Sequence, residues 1–320
     1  MTQIEVIEAV ARIDASAGWG LFIGAGALSL SAYLPERGIE RMFAGGRVPK
    51  ASGLLAPGRA RAAEGGYRIT GRWSWGSGIR HAEWVGVHAL VENESGDPIA
   101  SRFAMLPAAD VVIHDNWYVA GLKGTGSCDF TIDEVFVPEE LTFDLRALEP
   151  KRGGPLYRMG FPGLLVNELA GFVLGVGRRA LDEIVAQASA KERGYGKKGR
   201  VADRAVFQHA IGESDLRLRA ARALVLEVFE KAWQAVSTGG RPDAAHQVEM
   251  RAATVLATDA ALEAAARAFR YAGGTALRLE NVLQRCLRDL HGASTHLMAS
   301  DWAYEQHGRA LLGVDFDPMG

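Results

Sequence analysis

Between Arg47 and Leu145 the chain falls into short β-branched and aromatic runs: Y-R-I-T-G-R-W, W-V-G-V-H-A-L-V, I-A-S-R-F-A-M-L, V-V-I-H and F-T-I-D-E-V-F-V. They recur roughly every ten residues, and turns such as N-E-S-G-D-P separate them, so the region reads as antiparallel sheet and a parallel βαβ arrangement is disfavoured. The flanks read differently. Ile4 to Leu30 is alanine-rich with apolar residues at helical spacing, which predicts one or two helices before the punctuation at Pro35 and Gly38. After Pro155 four long helical segments are expected, Leu164 to Glu192, Val201 to Val236, Asp243 to Tyr271 and Val282 to Leu312. The stretch G-G-R-P-D at Gly239 to Asp243 stops one helix and caps the next, and short links predict an antiparallel four-helix bundle. The expected class is therefore α+β, mostly α, with a helical part at 1–46, a β domain at 47–150 and a helical bundle at 151–320.

A chain of 320 residues can bury a large core in two or three layers, and 48% hydrophobic with 23% charged residues describes a soluble globular protein. Its 36 basic and 38 acidic side chains leave no broad positive face, since Lys197, Lys198 and Arg200 form only a short cluster; nucleic acid is not an expected partner. Cys128 and Cys286 lie far apart and match neither a metal-ligand spacing nor a disulfide framework, so no metal is expected and a reducing cytoplasm fits. The start, M-T-Q-I-E-V-I-E-A-V, lacks the basic flank and apolar run of a secretory signal. The apolar stretch Gly160 to Val176 carries Asn167 and Glu168, is too short and polar for a bilayer, and reads as a buried helix; no membrane partner is expected.

Neither a phosphate-binding G-x-x-x-x-G-K-[ST] nor a dinucleotide G-x-G-x-x-G is present, and H-E-x-x-H and G-x-S-x-G are absent too. Gly24-Ala-Gly26 reads as helix packing, and Gly124-Thr-Gly126 as a turn feeding the strand at Phe130. Of eight histidines, His81, His88 and His114 fall in or beside the β region, while His209, His246, His291, His296 and His307 are expected on helices. His291 and His296 would stand roughly 140° apart on one helix, which does not suit a shared metal. In Y-R-I-T-G-R-W-S-W-G-S-G, strand alternation predicts Trp73 and Trp75 on one face, an indole wall ending in a flexible Gly-Ser-Gly.

Together with H-A-E-W-V, G-L-K-G-T-G-S-C-D-F-T-I-D-E-V-F-V-P, Y-A-G-G-T-A-L and L-Q-R-C-L-R-D-L-H-G-A-S-T-H, that stretch resembles the acyl-CoA dehydrogenase superfamily. It is most similar to the flavin-dependent monooxygenase branch, whose members use reduced flavin delivered by a separate NAD(P)H:flavin reductase. The resemblance runs from about Asp14 to Gly313. It implies N-terminal helices, here shortened, a central antiparallel β domain, a C-terminal four-helix bundle, and assembly as a homotetramer. It also implies a flavin, FAD or FMN, and a small-molecule substrate. By the same resemblance Trp75 would wall the flavin ring, Ser77 with the backbone of Gly76 and Gly78 would stand at its N5 edge, and Arg193 would reach a phosphate or the adenine end. Gln208 matches the family glutamine that follows, and Gly273 and Gly274 match paired glycines that admit a neighbouring subunit's pyrophosphate.

The resemblance departs at the catalytic base. Where the dehydrogenases place a glutamate after R-D-x-K, R-D-L-H brings His296 and Leu297. An imidazole there suits a reaction in which reduced flavin captures oxygen as a C4a-peroxide and a base takes a proton from a phenol-like substrate. His296 is then the expected base, His291 the second choice, and Ser77 the group that steadies the adduct. Dehydrogenation of an acyl thioester is the alternative and would need an unassigned base or Glu168, one turn from the position some branches use near Leu165. A non-catalytic scaffold with this fold is a second alternative, suggested by the shortened N-terminal part.

Overall fold

A computed structural model describes residues 1–193 and 199–319 of the chain. Helices α1 (Thr2–Ile13) and α2 (Ala15–Ser29) open it, followed by a 3-10 turn at Leu30–Tyr33 and α3 (Glu36–Met42). Strands β1 (Ala51–Ala63), β2 (Gly66–Gly76), β3 (Trp84–Glu92), β4 (Pro98–Pro107), β5 (Val112–Ile113), β6 (Cys128–Pro138) and β7 (Thr142–Phe143) come next. Helix α4 (Gly163–Ala188), the two-residue strands β8 (Glu192–Arg193) and β9 (Gly199–Arg200), and helices α5 (Ala205–Ser237), α6 (Ala244–Ala272), α7 (Val282–Ser294) and α8 (Trp302–Leu311) complete it.

These elements form two compact units: a helical one of Met1–Trp19, Val119–Leu122 and Met159–Gly320, and a sheet unit of Gly20–Tyr118 and Lys123–Arg158. The expected N-terminal part, 1–46, is therefore shared between the two, with the boundary inside α2.

In the sheet unit seven strands run in the order β5-β6-β2-β1-β3-β4-β7. Every neighbouring pair is antiparallel except β1 and β3, which are parallel, so the expected all-antiparallel sheet is corrected at one seam. The reason is local. The β1–β2 hairpin turns at Gly65, whose φ of 75° suits glycine, and returns the chain to the start of β1. Residues 77–83 then carry it to the other edge of β1, where Trp84 sets off opposite Ala51 in the same direction. Val85, Val87, Ala89 and Val91 alternate into the core, as the sequence spacing requires.

In the helical unit α4 is the central element, in contact with α1, α6 and α7. Its glycines admit α1 at close range: a Cβ at Gly171 would collide with the Ile4 carbonyl, and one at Gly175 with that of Glu8. Alanines 253, 257, 261, 264, 265 and 268 give α6 a buried small-residue face by which helices approach closely.

Two helix boundaries differ from expectation. The first bundle helix stops at Ala188, and Glu192 and Arg193 pair with Gly199 and Arg200 instead. The last expected helix is broken between Ser294 and Trp302. Ser294 Oγ donates to the His291 carbonyl at 3.0 Å and Thr295 Oγ1 to that of Gly292 at 2.8 Å, so side chains take acceptors at the end of α7. His296 then turns extended (φ −67°, ψ 139°) and caps a 3-10 turn at Leu297–Ala299.

Gly171→Val should force α1 off α4 and lower stability by about 1–3 kcal/mol, the usual cost of overpacking. A lower urea midpoint at unchanged slope would show it.

Candidate functional site

In the sheet unit the candidate residues lie where β2 ends. Trp73 is 2% exposed, stacks on Phe130 at 5.3 Å and 12°, and donates its indole N–H to the Ala56 carbonyl at 2.9 Å. Trp75 is 69% exposed. The two indoles therefore do not share a face, contrary to the simple alternation. Trp73 pairs with Phe130 and Gly76 with Cys128, so Ser74 and Trp75 together oppose the single residue Asp129, which makes a β-bulge. Trp75 pays for this with φ 68°, a conformation costing a bulky residue on the order of 1–3 kcal/mol and found preferentially at functional sites.

The Asp129 carboxylate is hydrogen-bonded to the strand that carries the bulge. Burial would raise its pKa, but hydrogen bonds from Arg72 (3.0 Å), Ser74 and Asn116 outweigh that and hold it below the usual carboxylate range.

Beyond the bulge the chain turns tightly, with Ser77 N–H on the Trp75 carbonyl at 2.7 Å and Gly78 N–H on that of Thr125 at 2.8 Å. The buried Ser77 hydroxyl meets Ser127 Oγ at 2.7 Å, and Ser127 meets Thr125 Oγ1 at 2.6 Å. Ser52 Oγ donates to the Ser77 carbonyl at 2.8 Å. Three hydroxyls in a row thus fix the direction of Ser77. The turn expected at Gly124-Thr-Gly126 is the 3-10 turn Lys123–Thr125, which leads into β6, and the same stretch carries T-x-S, two hydroxyls at a spacing of two. Gly76 has a packing reason of its own, since a Cβ there would stand 3.0 Å from the Cys128 carbonyl and the Phe130 ring.

In the helical unit His296 does not sit on a helix, as the sequence suggested, but in the break between α7 and α8. Its Nδ1 accepts the Met298 N–H at 3.2 Å, and its ring meets Trp19 edge-on at 5.8 Å; Trp19 meets Phe172 likewise at 5.0 Å. Burial, with the nearby Arg251 guanidinium, pushes its pKa down to about 4. The ring is thus neutral at pH 7, and with Nδ1 accepting, its proton lies on Nε2, which makes that edge a donor. His291 is exposed in the last turn of α7.

Glu168 is fully buried on α4, and Gln3 of α1 donates to its carboxyl. Burial raises its pKa well above the usual value, so the carboxyl is held towards its neutral form beneath α1. That corrects its fallback role: a sealed acid cannot take a proton from a substrate. The aspartate of R-D-L-H is structural as well, since Asp289 Oδ1 accepts the Leu122 N–H at 2.6 Å and Arg288 donates to the Ala120 carbonyl at 2.6 Å.

The remaining expected contacts are dispersed in the helical unit. Gln208 donates to the Ala202 carbonyl at 3.0 Å. Gly273 ends α6 at φ 63°, and Gly274 has open space where a Cβ would be. Lys191, which sequence reading missed, donates to the Ala272 carbonyl and, at 2.6 Å, to Thr275 Oγ1, a cation on the carbonyl end of α6. The Arg193 side chain lies outside the described residues.

Residues 168–301 match the family described as "Acyl-CoA dehydrogenase, C-terminal domain". Indole-3-acetate monooxygenase of Pseudomonas putida is 32% identical over 97% of this chain and 79% of its own length. The oxygenase component of an FADH(2)-dependent resorcinol hydroxylase from Rhizobium sp. is 28% identical over 97% of this chain and 81% of its own. XiaF from Streptomyces sp., solved in complex with FADH2 and glycerol, superposes with a TM-score of 0.91 at 25% identity, over 98% of this chain and 81% of that one.

A flavin suits the sheet-unit residues: an exposed indole offers a flat apolar face, and a buried hydroxyl with a fixed direction offers one polar contact beside it. Trp73→Ala should cost about 3–5 kcal/mol as a buried aromatic truncation, whereas Trp75→Ala should change stability by no more than about 0.5 kcal/mol; parallel urea melts distinguish them. For His296 the folded pKa lies below the unfolded one, so its contribution to stability is complete above about 6.5 and is lost as pH falls toward 4. Thermal melts across that window should show a decline that His296→Asn, still able to cap the turn, flattens.

Proposed function

The chain belongs to the flavin-dependent monooxygenases built on the acyl-CoA dehydrogenase fold, and we propose that it hydroxylates a small aromatic molecule as the oxygenase component of a two-component system. The observation that carries this reading is the neutral His296, an imidazole with its proton on Nε2 where a thioester-oxidising enzyme needs a carboxylate. Dehydrogenation is not adopted, because the carboxyl offered for it, Glu168, is sealed under α1.

The residues divide the work. Trp75 gives the flavin ring an apolar wall, and Ser77, aimed by Ser127 and Thr125, hydrogen-bonds its polar edge. His296 donates through Nε2 to the oxygen of a phenol-like substrate. To act as base at that atom it must first move its proton to Nδ1 and give up the Met298 bond, so proton uptake there is coupled to the 3-10 turn. Bound reduced flavin supplies the two electrons with which dioxygen gives one hydroxyl to the substrate and one oxygen to water. FAD and FMN both fit this account, and a separate reductase supplies the reduced form. Homotetramer assembly and a cytoplasmic location belong to the same proposal; exposed Leu277 and Leu279, just after the paired glycines, support a subunit contact there.

Reduced FAD or FMN, labelled dioxygen and a panel of phenols and indoles test the reading. A product carrying one labelled oxygen is expected. His296→Ala should lower turnover by about 10²–10⁴-fold while flavin binding persists, and Ser77→Ala should divert turnover to hydrogen peroxide. Flavin binding with no hydroxylated product across the panel would overturn the proposal.

A further inference from the structure

Arg251 is among the largest side chains that the protein buries completely, with only 1% exposure, about two turns into α6. A guanidinium taken from water must be met by acceptors. Here these include backbone carbonyls from two separate segments. Nη2 donates to the Leu297 carbonyl at 2.9 Å, and Nη1 to those of Met319 at 2.9 Å and Pro318 at 3.5 Å.

The second segment is itself fixed: Asp317 N–H donates to Gln306 at 2.8 Å, and Arg309 to the Asp315 carbonyl at 2.6 Å. That much describes a tether for residues 315–319. The Leu297 bond does something else, because Leu297 is the first residue of the turn that His296 caps. Within the five residues His296 to Ser300, Met298 N–H reaches His296 Nδ1, Ala299 N–H the His296 carbonyl at 2.8 Å, and Ser300 N–H the Leu297 carbonyl at 3.3 Å. A turn this short has few bonds of its own to hold it. Leu297 exposes its side chain, so its apolar burial contributes little.

We propose that Arg251 is a positioning residue for His296: by holding the Leu297 carbonyl it fixes the turn in which Met298 N–H occupies Nδ1 and the imidazole proton stays on Nε2. The bearing on turnover rests on the role given to His296 above; the geometric claim does not. The surroundings of the ring agree. From α2 it meets the uncharged Trp19, and from α6 the charge acting on it is that of Arg251, while Asp317 of the C-terminal stretch acts on Arg251 in turn. Arg251 therefore favours the neutral ring by charge and selects its tautomer by geometry, two effects that substitution can separate.

The test is imidazole nitrogen NMR on the flavin-free, full-length chain labelled at histidine, with His296 assigned by its loss in His296→Asn. The wild type should show a pyridine-type Nδ1 and a protonated Nε2, neutral down to about pH 4. Arg251→Met should mix the tautomers and move the midpoint upward. Arg251→Lys keeps the charge but not the planar fork, so it should mix the tautomers while moving the midpoint less. In turnover, Arg251→Lys should change kcat with KM little changed, because it loosens the tautomer that His296 must leave to act as base.

If Arg251→Met folds and the His296 tautomer and midpoint stay where they were, the proposal is overturned and Arg251 is only a tether. If Arg251→Met does not fold, Arg251→Lys decides alone: an unchanged tautomer refutes the proposal, a mixed one supports it. Because no flavin or substrate enters the NMR measurement, its result is independent of whether the hydroxylation reading holds.

Discussion

The bulge opposite Asp129 is the constraint on which the sheet unit's chemistry depends. Had β2 continued in regular register, Trp75 would have followed Trp73 into the core side of the sheet. One extra residue, held by the Asp129 carboxylate through Arg72 and Ser74, lets Trp73 fill the core against Phe130 while Trp75 turns outward. The same irregularity ends the strand, and the chain then folds sharply enough to bring Ser77 onto Ser127. A left-handed tryptophan is costly, and the surrounding bonds over-determine it, which is how local strain persists in a fold.

The helical unit solves a different problem with a similar device, an interruption in a regular element. Histidine in mid-helix would have its position set by the helix alone. In the break between α7 and α8 its position is set by a backbone donor, a tryptophan edge and the carbonyl that Arg251 holds, and each acts on a different property of the ring. The backbone donor chooses the tautomer, the aromatic neighbours help to exclude water, and the guanidinium disfavours a second positive charge.

The order of elements was legible because period and length change together along the chain: short β-branched runs, then long alanine-rich ones. What was not legible depended on single residues. Nothing in R-W-S-W-G marks Trp75 as left-handed, since the bulge is a matter of register against β6, where Ser74 and Trp75 oppose Asp129. The parallel seam between β1 and β3 comes from the path of residues 77–83, which sequence period does not encode. The break before His296 did leave a trace in G-A-S-T, whose hydroxyls take backbone acceptors, but R-D-L-H read as a continuous helix outweighed it. Among the candidate residues, Trp75, Ser77 and His296 came from resemblance. Ser127 and Thr125 leave only the spacing T-x-S in the sequence, Arg251 emerges only from contacts, and burial removes Glu168 as the fallback base.

Burial keeps two titratable groups of the helical unit neutral, and the two respond to pH in opposite senses. Glu168 is protonated in the fold beyond the pH at which an unfolded glutamate ionises, so the stability it lends is full below about 4.5 and is lost as pH rises through its raised folded value. His296 is deprotonated in the fold where an unfolded histidine would be charged, so its contribution is full above about 6.5 and lost as pH falls toward 4. Neither group is a salt bridge that could be satisfied by ionising. Gln3 meets one and Met298 the other with a neutral hydrogen bond, so the α1–α4 contact and the His296 turn both hold best when no charge is present on either group. Arg251, the one guanidinium that the helical unit buries completely among the described residues, is placed where its charge disfavours a second positive charge on the histidine.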